Sequence, residues 1–167
     1  MALSKITNTG IGTVDDITLS GGVYLGGTDA ANYMDDYEEG TWMAKVADAT
    51  SGGNESSTEP IRANYIKVGG LVHIDCRFSD ISTAGLTSGN PLYVTGLPFV
   101  SNSETVSTVW RQNVGSATEL IARNSYSFTY IRFDRVISNS ADATLTVSQF
   151  NNGAADFSFS MTYTTND

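Results

Sequence analysis

Two stretches of strict alternation constrain this 167-residue chain more than any other feature. In "LVHIDCRFSD", Val72, Ile74, Cys76 and Phe78 alternate with His73, Asp75, Arg77 and Ser79. In "FSFSMTYT", Phe157, Phe159, Met161 and Tyr163 alternate with Ser158, Ser160, Thr162 and Thr164. Successive side chains of a strand point to opposite faces, so both segments are strands with one apolar and one polar face. Such a strand needs a second layer over its apolar side. Gly69-Gly70 is a two-residue turn signal that joins the first strand to another through Tyr65, Ile66 and Val68.

Further strands follow at short spacing. Leu92 and Val94 alternate in "PLYVTGLPF", which Gly96 and Pro98 end, and Val106, Thr108 and Trp110 alternate in "TVSTVWR". "TELIAR" and "YSFTYIRF" read as strands, the second with Tyr126, Phe128 and Tyr130 on one side and Ile131 and Phe133 out of phase. Leu145 and Val147 alternate in "ATLTVSQF". With a short run after Trp42 this predicts about eight strands separated by turns and no helix. The expected fold is all-β, an antiparallel β-sandwich of jelly-roll-like form spanning 37–167. Polar stretches at 49–60, 79–90, 111–118 and 136–142 read as its loops.

Residues 1–36 differ from the rest. Residues 1–40 hold Lys5 against Asp15, Asp16, Asp29, Asp35, Asp36, Glu38 and Glu39, which is two-thirds of the chain's net charge of −9. The apolar residues there are sparse: Ile17 and Leu19 share one face, and Val23 and Leu25 another, across Ser20-Gly21-Gly22. So little apolar surface cannot offset the entropy of ordering the segment alone. It is either disordered or, as its alternation favours, an extended arm ordered by packing on sister chains or a larger assembly.

The same composition excludes several functions. A strongly acidic chain lacks the clustered Lys and Arg that phosphate binding requires, so nucleic acid is not an expected partner. No apolar run is long enough for a membrane helix, and no membrane insertion is expected. The start, with Lys5 and no apolar block behind it, does not read as a secretory signal. Cys76 is the one cysteine, so no intrachain disulfide is available. It stands on an apolar face and reads as a small core hydrophobe. His73, the one histidine, stands on a polar face without a nucleophile motif around it. No catalytic residue and no cofactor site is identified.

Two features remain as candidate sites. In "MDDYEEGTW", Asp35, Asp36, Glu38 and Glu39 crowd five positions. Acids adjacent in sequence do not face each other across a sugar as glycosidase carboxylates do. The acids read as a solvated junction between arm and domain, with calcium coordination as the alternative. In "VWRQN", Trp110 and Arg111 stand beside two amides, a set suited to stacking on a glycan ring. Against this, Trp110 is in phase with Val106 and Thr108, and the preferred reading places it in the core.

Four motifs in order carry a resemblance. Asp36–Trp42, Asn64–Val72, Gly96–Phe99 and Phe157–Tyr163 resemble the D-Y-E-E-G-T-W, N-Y-x-K-x-G-x-x-V, G-L-P-F and closing Phe/Ser/Tyr strand of a head-domain type. That type is found at the C-terminal ends of tailed-bacteriophage tail fibre and virion appendage proteins. The similarity covers roughly residues 20–164, and departs from the family where Met43-Ala44 replaces Thr-Pro. It implies a homotrimer on a virion, assembled in the host cytoplasm. Residues 1–36 would attach it to other virion proteins of the tail or capsid, with Ile17, Leu19, Val23 and Leu25 buried between chains. The knob would meet a host surface glycan or protein. The alternative within the same resemblance is a capsid decoration protein that stabilises the shell.

Overall fold

Val72, Ile74, Cys76 and Phe78 are fully buried, and Phe157, Phe159, Met161 and Tyr163 lie beside them in the same core. The alternation therefore sets the inward face of both strands. The computed structural model describes residues 21–115 and 119–167, and the chain divides into two compact units at the Asp35–Asp36 bond.

In chain order the strands are β1 (Val23–Tyr24), β2 (Tyr33–Met34), β3 (Tyr37–Thr41), β4 (Lys45–Ala47), β5 (Arg62–Val68) and β6 (Leu71–Ile81). They continue with β7 (Tyr93–Thr95), β8 (Thr105–Thr108), β9 (Trp110–Gln112), β10 (Glu119–Asn124), β11 (Tyr130–Val136), β12 (Ala143–Thr144) and β13 (Ala155–Thr164). Two short 3-10 turns, Ala30–Asn32 and Val147–Gln149, are the only helical elements among the described residues.

The first unit, as far as it is described, is a small hairpin. β1 pairs antiparallel with β2, the Tyr24 and Tyr33 rings lie 4.9 Å apart, and the Gly22 N–H donates to the Tyr33 hydroxyl at 2.9 Å. Val23 is half-buried and Leu25 is exposed. Ile17 and Leu19 lie outside the described residues.

The second unit is a β-sandwich whose strand pairs are all antiparallel. One sheet has the order β4-β7-β11-β10-β8, with β12 also on β11; the other has the order β3-β5-β6-β13-β9. Rings from both sheets meet in the core: Phe133 of the first lies 5.1 Å from Phe157 of the second, and Phe78 lies 5.4 Å from Phe157. Each fully buried ring of this size contributes about 1.5–3 kcal/mol through removal from water.

Both sides of the sandwich are closed by the chain crossing from one sheet to the other. β3 lies on the edge of one sheet and, after Trp42-Met43-Ala44, β4 lies on the edge of the other. β8 and β9, separated by Val109 alone, do the same on the opposite side. These crossings leave fewer open strand edges for stray pairing. The Trp42 indole and Leu97 fill the first corner, where the Trp42 backbone N–H donates to the Ala63 carbonyl at 3.0 Å.

Several expectations are corrected. The domain has eleven described strands, because the crossing segments count twice and β12 is separate. Residues 79–81 belong to β6, bent by a bulge opposite Ala155–Phe157 with Asp80 at φ 53°. Tyr126 and Phe128 precede β11 in a turn with Ser127 at φ 64°, which explains why they were out of phase with Ile131 and Phe133. After Thr144 the chain leaves the sheet for the 3-10 turn at Val147.

Candidate functional site

The acid run resolves by alternation. On the approach to β3 and along it, Asp36 and Glu38 share one face with Lys67, which pairs in register with Glu38. Lys67 points inward in phase with Ala63 and Tyr65, and its side chain is 3 % exposed. Its ammonium forms an ion pair with the Asp36 carboxylate, stands 3.7 Å from Glu38, and lies 5.2 Å from the centre of the Phe99 ring. The hydrogen bond to Asp36 is the largest cause holding the Lys67 ammonium above its ordinary pKa, against the opposing effect of burial. Glu39 faces the other way and accepts from the Tyr37 hydroxyl at 2.7 Å, which raises the phenol's pKa. Asp35 belongs to the first unit. Within the second unit, Asp36 and Glu38 therefore part from Glu39. Among the described residues no group of three or more His, Cys, Asp or Glu side chains is placed to hold a metal.

Trp110 is not in the core. It is 52 % exposed on the outer face of its sheet, and Val106 and Thr108 face outward with it. In register it lies opposite Ser158, whose other neighbour is Arg77, and the Arg77 guanidinium stands 5.7 Å from the indole centre. Arg111, next in sequence, lies on the opposite face of the strand and donates to the carbonyls of Val114 at 2.5 Å and Gly115 at 3.0 Å. Arg111 thus braces the following turn, and the cation beside Trp110 is Arg77.

The same outer face carries a depression that sequence reading missed. Cross-strand register places Thr41, Asn64 and Asp75 in one row and Glu39, Ile66 and His73 in the next. These six side chains line an open groove of about 480 Å³. Between Glu39 and Thr41, Gly40 turns to the inner face, where a Cβ would stand 3.1 Å from the Tyr65 ring. A second depression of about 470 Å³ shares Thr41 and Asn64 and is bounded by Trp42, Pro60, Ile61 and Arg62. Asp75 is ion-paired with Arg62, and His73 Nδ1 lies 2.9 Å from the Thr162 hydroxyl. The outward alternation of Asn64, Ile66, His73 and Asp75 was visible in the sequence, but the strand register that gathers them was not.

Cys76 is buried, and burial pushes its thiol well above the ordinary range, so it is unreactive as a nucleophile. Compared with known proteins, the chain matches no family model and no curated sequence.

Proposed function

We propose that this protein is a non-enzymatic structural protein of a bacteriophage virion, a short trimeric tail fibre or spike. In this reading the arm of residues 1–36 attaches it to the particle, and residues 37–167 form a jelly-roll-like knob displayed to the host surface. One observation carries the reading: the four motifs behind the resemblance, spread along the whole domain, are neighbours in the fold. β3 pairs with β5, β5 with β6, and β6 with β13. The Gly96–Phe99 turn joins them, because the Tyr163 hydroxyl donates to the Phe99 carbonyl at 3.0 Å and the Phe99 ring lies 5.5 Å from Tyr65. Gly96 sits at φ 85°, and a Cβ there would overlap the Met43 carbonyl. Physical dependence among these residues supports reading them as one motif set.

Self-association has its own support. Tyr37, Val68, Leu71, Val100 and Tyr126 are exposed apolar residues of the knob. Hydrogen bonds from Gly69 to Asp36, Thr165 to Gly70, Asn102 to Thr164 and Ser127 to Ser101 tie their segments together at the end where the chain enters from residue 36. Exposed apolar residues gathered at one end support reading it as a contact with protein. Light scattering on the full chain and on a chain beginning at Tyr37 tests this. The full chain is expected to be a trimer and the shortened one a soluble, weaker trimer. Two stable monomers would reject the trimeric reading.

A further inference from the structure

The outer face of the β3-β5-β6-β13-β9 sheet gathers hydrogen-bonding side chains and apolar surface in two adjoining depressions. The side chains of Thr41 and Asn64, shared by both depressions, have no hydrogen-bond partner among the described residues. Around them stand the carboxylates of Glu39 and Asp75, the His73 ring and the Arg62 guanidinium. Ile61, Ile66 and Pro60 supply apolar surface between these groups.

We propose that this double groove binds a neutral saccharide. A sugar ring presents hydroxyls that both donate and accept, which suits planar carboxylate, amide and imidazole groups, and a C–H face, which suits Ile61 and Ile66. Charge selects against anionic ligands. Asp75 already neutralises Arg62, Glu39 is offset only by a neutral phenol, and the chain carries −9. From β3 to β9 the face spans four inter-strand spacings, about 19 Å, so a longer oligosaccharide reaches Arg77 and the exposed Trp110 ring. This deepens the host-recognition part of the proposed function and rests on that reading only for the source of the sugar, a bacterial surface.

The test measures binding of the full chain to immobilised neutral and anionic oligosaccharides, with titration calorimetry on the best neutral binder. Asn64→Ala removes an exposed side chain without a described partner and leaves folding intact; Asp75→Asn keeps shape and removes one charge. Each is expected to weaken binding by about tenfold or more with the thermal midpoint of Asn64→Ala unchanged. Unchanged affinity in both variants, binding of anionic sugars alone, or no neutral saccharide bound at millimolar concentration would each overturn the proposal. Incorporation of Asn64→Ala into particles is read in parallel. Normal incorporation with lost binding supports the groove. Absence of the wild-type protein from particles removes the virion reading and leaves the groove result to stand alone.

Discussion

The ammonium of Lys67 is paired with the carboxylate of Asp36 at the edge of the β3–β5 ladder, and Glu38 stands 3.7 Å from the same nitrogen. Two carboxylates of the acid run thus hold a covered lysine beside Phe99, and Glu39 faces the groove on the opposite side. A cation is already supplied there by the chain itself. The physical reason is alternation, which sends neighbouring acids to opposite faces of one strand.

The two sides of this pair are unequal. Removing both carboxylates, in Asp36→Asn with Glu38→Gln, leaves a covered ammonium without a counter-charge. Lys67→Met removes the covered charge and leaves two acids that already meet solvent. Urea denaturation is expected to rank the double variant below Lys67→Met in stability. The reverse order would show that Lys67 is solvated and the ion pair unimportant.

Asp48 organises the loop after β4. It is 3 % exposed and accepts from the Asn54 backbone N–H at 2.8 Å, the Asn54 side-chain amide at 2.9 Å and the Thr87 N–H at 2.7 Å. The Asn54 amide, then the Thr87 N–H, hold its pKa down at about 2. A lowered carboxylate pKa stabilises the fold fully above the ordinary value near 4 and progressively less as pH falls toward 2. Asp48→Ala is expected to cost about 1–3 kcal/mol at pH 7 and much less near pH 2, read from urea midpoints at both values. An equal cost at both pH values would contradict the assignment.

Gly96 and Gly89 give a matched pair. Gly96 combines φ 85° with the Met43 carbonyl where a Cβ would go, whereas Gly89 has open space and no left-handed backbone. Gly96→Ala is expected to lower stability by about 2 kcal/mol or more, and Gly89→Ala to change it by under about 0.5 kcal/mol. Thermal unfolding of both variants checks this, and similar midpoints would remove Gly96 from the architecture of the turn.

The two tryptophans should behave oppositely. Trp42 fills a corner of the core and Trp110 stands on the surface. Trp42→Ala is expected to cost about 3–5 kcal/mol, and Trp110→Ala under about 1 kcal/mol. Calorimetric unfolding separates them; a large loss at Trp110 would return it to a packing role.

Much of the fold could be read from period-two patterning, and the failures have a common physical source. Alternation at Val72–Phe78 and Phe157–Tyr163 identified the inward face because one face is apolar and the other polar. At Val106–Trp110 the phase was right, but alternation alone does not say which face meets the core. There the strand crosses a corner, so half-buried Thr105, Ser107 and Val109 face inward and the larger Trp110 faces out. Lys67 escaped notice because its type says surface, while its phase with Ala63 and Tyr65 says core. The groove was not legible, since it depends on register between β3, β5 and β6, which pattern does not specify.

The most direct test of the virion reading is the copy number of this protein in purified particles, by quantitative mass spectrometry against the major capsid protein. A few to a few tens of copies are predicted for a trimeric fibre or spike. Hundreds would instead make it a decoration of the shell and remove the role in host recognition, and absence from the particle would contradict the account.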